Sequence, residues 1–176
     1  MGTSMASVSF RRSKAPEWDA IKSEIKKMFD GLDGLVSNID TDSDGYAIVS
    51  PYGDMGMFLA ELPEKISALT GDYVVMCASF DSDFAVMELY HAGTMLEECA
   101  VGEVYEEYEE FCCTNKADLE LWGPLLQNRE DLDSFIEALH GTEVFVEDQL
   151  RAITKMTGLP IFDDQLVYGE AWNTED

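Results

Sequence analysis

The stretch DYVVMCASFDSDFAVMELYHAGTMLEECAV, residues 72–101, decides how the chain is read. It holds three runs rich in Val, Phe, Tyr and Met, parted by DSD (81–83) and HAG (91–93). Aspartate and glycine suit tight reversals, and apolar runs this short and this β-prone read as strands. An antiparallel meander over Tyr73–Val101 follows.

Working outward, Trp18, Ile21, Ile25, Met28 and Phe29 recur at helical spacing with lysines between them, which predicts an amphipathic helix over Pro16–Leu32. Glycines and aspartates in DGLDGLVSNIDTDSDG (30–45) break that pattern before YAIVS (46–50), a short strand. Leu62–Leu69 is a short helix stopped at Gly71. Beyond the meander, Val101, Val104, Tyr105, Tyr108, Phe111 and Cys112 fall on one helical face and Glu103, Glu106, Glu107 and Glu110 on the other. A helix is therefore expected there. LELWGPLL (119–126) ends a helix at Gly123-Pro124, and Asp131–Leu139 and Val146–Met156 give two more, closed by Gly141 and Gly158. QLVYG (165–169) could add a last strand. The expected architecture is one α+β domain over residues 16–176, with an N-terminal amphipathic helix, a central mostly antiparallel sheet and a helical C-terminal half. Residues 1–15 are expected to be a flexible N-terminus, in which MGTS reads as an expression remnant and Met5 as the natural start.

The 176 residues carry a formal charge of −25, yet 46% of them are hydrophobic, so the composition is that of a folded chain. Residues 1–27 hold six of the eleven basic residues, leaving five against thirty-three acidic ones in residues 28–176. A field of that sign repels nucleic acid and anionic membrane and speeds encounter with basic proteins. No apolar run is long enough to span a bilayer and no secretory signal opens the chain, so a cytoplasmic protein is expected. Cys77, Cys99, Cys112 and Cys113 have no metal-ligand spacing and read as reduced thiols.

Few motifs carry chemistry. DTDSDG, Asp40–Gly45, has the oxygens and glycine that open an EF-hand calcium loop, but Pro51 stands where the bidentate glutamate belongs. A turn with side-chain to backbone hydrogen bonds accounts for it as well. There is no phosphate loop, dinucleotide fingerprint or nucleophile elbow, and His91 and His140 are far apart in sequence. No catalytic residue, metal ligand or cofactor is assigned. Two acidic features remain. Asp81 and Asp83 flank Ser82 at a hairpin end, placed to meet a partner's arginine or lysine. EECAVGEVYEEYEE (97–110) places seven glutamates, Glu97, Glu98, Glu103, Glu106, Glu107, Glu109 and Glu110, in fourteen residues without a basic residue. Surfaces usually interleave charges of both signs. A solvated flank and a partner-facing surface both fit such a run.

The phrase FDSDFAVMELYHAGTMLEE (80–98), preceded by LPEKISALTG and followed by an acidic half that closes in EDQLRAITKMTGLP, resembles small bacterial immunity proteins, which are encoded beside polymorphic or contact-dependent toxins. The likeness spans residues 56–160 and rests on that hairpin phrase and the order of elements. It implies an intracellular protein without enzymatic turnover that neutralises one cognate toxin by stoichiometric binding, over its active site or beside it. Many such toxins are nucleases with basic grooves, because phosphate contacts dominate nucleic-acid binding. Tyr105, Tyr108, Phe84 and Trp122 are candidate anchors, with core packing the expected fate of most. Two alternatives stand beside this reading. One is a DNA mimic or adaptor that binds nucleic-acid enzymes, and the other is a metal-binding module or enzyme using Asp40, Asp42 and Asp44.

Overall fold

The computed structural model of the chain describes residues 5–11, 20, 23, 27, 37–40, 45–50 and 61–162, with the backbone alone at 37–40, 46 and 48–50. Within them a six-stranded, wholly antiparallel sheet runs in the order β2-β3-β1-β4-β5-β6. Its strands are β1 (Met5–Arg11), β2 (Ser37–Asp40), β3 (Gly45–Ser50), β4 (Tyr73–Phe80), β5 (Phe84–His91) and β6 (Thr94–Gly102). Among the described residues, helices with defined bounds are α1 (Glu61–Thr70), α2 (Leu119–Trp122), α3 (Leu132–His140) and α4 (Val146–Thr157).

The meander is where the sequence places it. Its second reversal is a two-residue loop in which Ala92 and Gly93 both take positive φ (48° and 83°) between paired His91 and Thr94. That is the turn whose twist matches flanking strands. One extra residue is accommodated between the pairs Leu89–Glu97 and Tyr90–Met95, and the resulting bulge reorients the side chains beyond it.

Residues 5–11, expected in the flexible N-terminus, form β1 in the middle of the sheet, paired with both β3 and β4. The sequence MASVSFR is fully buried up to Phe10. Its serines disguised it, and both are satisfied from within: Ser7 Oγ donates to Ile161 O and Ser9 Oγ to Val75 O. Strand β2 lay unrecognised in the glycine- and aspartate-rich stretch. DTDSDG thus joins two strands of one hairpin rather than a helix and a strand. Residues 41–44 lie outside the described residues, as do the expected QLVYG strand and, except for exposed helical Ala20, Ser23 and Lys27, the amphipathic helix over Pro16–Leu32.

Side chains alternate across the sheet. Val75, Cys77, Met87, Leu89, Cys99 and Val101 join Trp122, Leu125, Phe135, Leu139, Leu150 and Ile153 in one core beneath the C-terminal helices. Leu62 and Ile66 of α1 are buried apart from that cluster, as are Ala6, Val8, Phe10, Val74 and Val86, so α1 covers the other face. Each fully buried large side chain removes apolar surface worth roughly 1.5–3 kcal/mol. Arg11 ties the sheet to the helical layer by donating to Thr157 O at the end of α4 and to Leu125 O (3.3 and 3.1 Å). Among the described residues no helix is long and apolar enough to cross a membrane.

Candidate functional site

The acidic run divides at Gly102. Upstream of it, Glu97 and Glu98 are strand residues pointing to opposite faces. The Glu97 carboxylate is half-buried and accepts from Asp118 N (3.0 and 3.1 Å) and from the indole Nε1 of fully buried Trp122 (2.5 Å). Glu97, expected in the partner-facing set, is therefore hydrogen-bonded into the fold at the start of α2. Glu98 is exposed and stands directly across from Glu88 in β5. Glu88 accepts from the Tyr90 hydroxyl (2.6 Å). Burial pushes the Glu88 carboxyl above the usual range, the Tyr90 bond opposes this, and the neighbouring charge of Glu98 adds to it.

Downstream, the expected helix over Val101–Cys112 is replaced. Strand β6 continues through Val101 to Gly102, whose φ of 84° turns the chain out of the sheet. A side chain at Gly102 would meet Asp83 O at 2.8 Å, so the position needs glycine for both conformation and space. Residues 106–111 are successive turns, with Tyr108 N donating to Tyr105 O and both Phe111 N and Cys112 N to Tyr108 O (2.8, 2.9 and 2.9 Å). Two causes favour turns over a helix. Val101 is committed to the sheet core, and of the remaining apolar residues Val104 and Cys112 are only half-buried while the three aromatic ones stay largely in solvent. Tyr105, Tyr108 and Phe111 are exposed, Phe111 at 82%. Tyr108 leans on the fold, its ring centroid 5.3 Å from that of Phe84.

After the turns the chain returns along β6 and covers its edge. The outward-facing groups of alternate residues find partners there: Cys113 Sγ donates to Glu98 O, Ala100 N to Asn115 O, and Lys116 Nζ to Gly102 O. An open strand edge is a template for unwanted pairing, and this return blocks it. Residues 103–112 are consequently a loop held at both ends by the sheet, with Glu103, Glu106, Glu107, Glu109 and Glu110 all exposed.

The β4–β5 reversal lies at the same end of the sheet, because Phe84 pairs with Gly102. Asp81 and Ser82 both take positive φ (48° and 68°), and Asp83 N donates to Phe80 O (2.9 Å). Aspartate tolerates this conformation, and serine adopts it where the surroundings hold it. Here the buried Ser82 hydroxyl bonds the Glu147 carboxylate while Val146 N donates to Ser82 O (3.0 Å), docking the turn on the start of α4. Asp81 is exposed and Asp83 half-buried. The structure thus gathers Asp81, Asp83, Glu103 and the glutamates through Glu110 at one end of the sheet. Glu98 sits on the flank and Glu97 is withdrawn.

Of the candidate anchors, Phe84 and Trp122 are core residues, and Tyr105 and Tyr108 are on the surface. Sequence reasoning missed Val144 and Phe145, which stand 83% and 57% exposed before α4. Their signal was present: apolar residues occupy a helix start where a hydroxyl or carboxylate is expected. It also missed a concavity of about 540 Å³ between α3 and α4. Cys77 and Cys99 are buried, and burial pushes the Cys77 thiol up to about 12, away from the reactive thiolate. Comparison with protein-family models, curated proteins and solved structures yields no match for this chain.

Proposed function

We propose that this protein is an inhibitor of immunity type, which binds one cationic toxin effector stoichiometrically and without turnover. The observation that carries the reading is the loop of residues 103–112, where five exposed glutamates surround three exposed aromatic side chains with no cation among them. Acidic rims speed capture of a basic partner, and a few aromatic anchors that become buried set residence time. Tyr105, Tyr108 and Phe111 put three exposed aromatic side chains in one short loop, and clustered apolar surface supports an interaction site over a flank serving only solubility. Asp81, Asp83 and Glu98 extend the same charged surface. A toxin acting on nucleic acid or nucleotides supplies the matching basic groove, and the cytoplasm is where such a target would be met.

The test is co-purification from the source cells followed by co-expression. One basic protein recovered in equal amount, whose toxicity is suppressed by this chain and restored by Glu106→Lys, Glu107→Lys and Glu110→Lys together, is the expected result. Capture of several unrelated nucleic-acid enzymes would favour a DNA mimic instead. Neutralisation undiminished by the triple reversal would reduce the loop to a solvated flank.

A further inference from the structure

Phe145 is the N-cap residue of α4, with extended backbone (φ −126°, ψ 123°) and no capping hydrogen bond from its side chain. Ser, Thr, Asp or Asn at such a position stabilises a helix by about 0.5–2 kcal/mol over a residue that cannot cap. Val144 precedes it, where an apolar residue can staple itself against the fourth helical position. That position is Gln149, whose amide donates to Ala138 O and Gly141 O, and Val144 remains in solvent. Two apolar side chains thus stand where polar ones would serve the fold better. Stability forgone in this way is commonly kept for function.

Their surroundings indicate which function. Thr142 lines a polar hollow of about 410 Å³ together with Val104, Glu109 and Lys116, at the acidic loop. Glu143 lines the groove between α3 and α4, whose other charged residues are Asp131, Glu137, Asp148 and a single cation, Lys155. The floor of the groove is partly apolar, from Ala138, Ala152 and Met156. Arg151 offsets Asp148 (2.8 Å) and Asp131 is half-buried, which leaves Glu137 and Glu143 as the exposed carboxylates of the groove. Thr142 and Glu143 therefore stand between two concavities with acidic groups on both sides, and the exposed Val144 and Phe145 follow directly in the chain as a ridge before α4.

We propose that the α3–α4 groove and the Val144–Phe145 ridge dock an extended basic segment of the protein partner. An apolar side chain of that segment meets Phe145, and its lysines or arginines lie along Glu137 and Glu143. The proposal rests on the reading of this chain as a binder of a cationic protein and adds a second contact area continuous with the acidic loop. A second copy of the chain fits less well, since it would bring carboxylate-lined grooves together.

The test uses the isotope-labelled full chain and the peptide acetyl-KLRKLRK-amide, followed by amide chemical-shift mapping. Expected are shifts at Ser134, Val144, Phe145, Gln149 and Ala152. Val144→Ser with Phe145→Ser should weaken binding about tenfold without lowering the melting temperature, and Glu137→Gln with Glu143→Gln should flatten its salt dependence. No shifts, or shifts confined to residues 103–111 and unaltered by the ridge variant, would overturn the docking site, the latter leaving the inhibitor reading in place. A wild-type dimer that the ridge variant converts to monomer would overturn it too, assigning the patch to a second copy. Loss of peptide binding in the ridge variant, alongside neutralisation undiminished by the triple loop reversal, would uphold the groove and remove the loop from the interface.

Discussion

Glu97 and Glu106 belong to one acidic run and have opposite fates. The first accepts hydrogen bonds from a buried indole and a backbone amide at the start of α2, and the second stands in water on a turn. Nothing in their residue type separates them. What separates them is Gly102: before it the chain is held in a pleated sheet, where alternate side chains enter a core, and after it the chain has left the sheet. Charge density in a sequence therefore identifies a run, and only the backbone path divides it into structural and available members.

That division can be broken or sharpened by mutation. The largest effect is expected at Trp122→Ala, which empties a fully buried site and should cost about 3–5 kcal/mol in chemical denaturation. Next comes Glu97→Ala, which leaves the Trp122 Nε1 and the Asp118 amide without their acceptor and should cost about 1–3 kcal/mol. A loss as small as that of a surface glutamate would place Glu97 with the loop and erase the contrast.

A smaller, pH-dependent effect is expected at Glu88. Its folded-state pKa lies above the ordinary carboxylate value, so the folded state binds the proton more tightly than the unfolded one. The stability linked to this group is full below the unfolded value and is lost as pH rises through the folded one. Glu88→Gln should then raise the melting temperature at neutral pH, with the gain shrinking towards pH 4 as both states become protonated. A constant gain would point to packing in place of titration. The smallest effect belongs to the loop. Glu106→Lys, Glu107→Lys and Glu110→Lys should each change stability by no more than about 0.5 kcal/mol, while together they slow association with a basic partner and weaken its dependence on salt.

Legibility followed the physics of each segment. The meander was readable because three apolar runs are separated by residues suited to reversal, and its register carries only one bulge. Strand β1 was hidden because Ser7 and Ser9 interrupt its apolar pattern, their hydroxyls finding carbonyl partners supplied by distant residues. The helix expected over Val101–Cys112 had sound periodicity, but periodicity predicts a buried face only where a surface exists to bury it. Val144 and Phe145 carried a legible oddity at a helix start, and their significance emerged once their exposure was known.

By itself, the sequence determined an α+β chain with an antiparallel meander, helices ending at Gly71 and Gly158, and a strongly negative summed charge. Those properties depend on local conformational preference and on summed charge, both of which can be read residue by residue. Only the tertiary structure decided that β1 sits at the centre of the sheet, that Glu97 turns inward, and that the hairpin tip, the acidic loop and the start of α4 share one end of the molecule. These outcomes depend on which distant groups meet, and hydrogen bonding and burial between residues far apart in the chain leave no local mark.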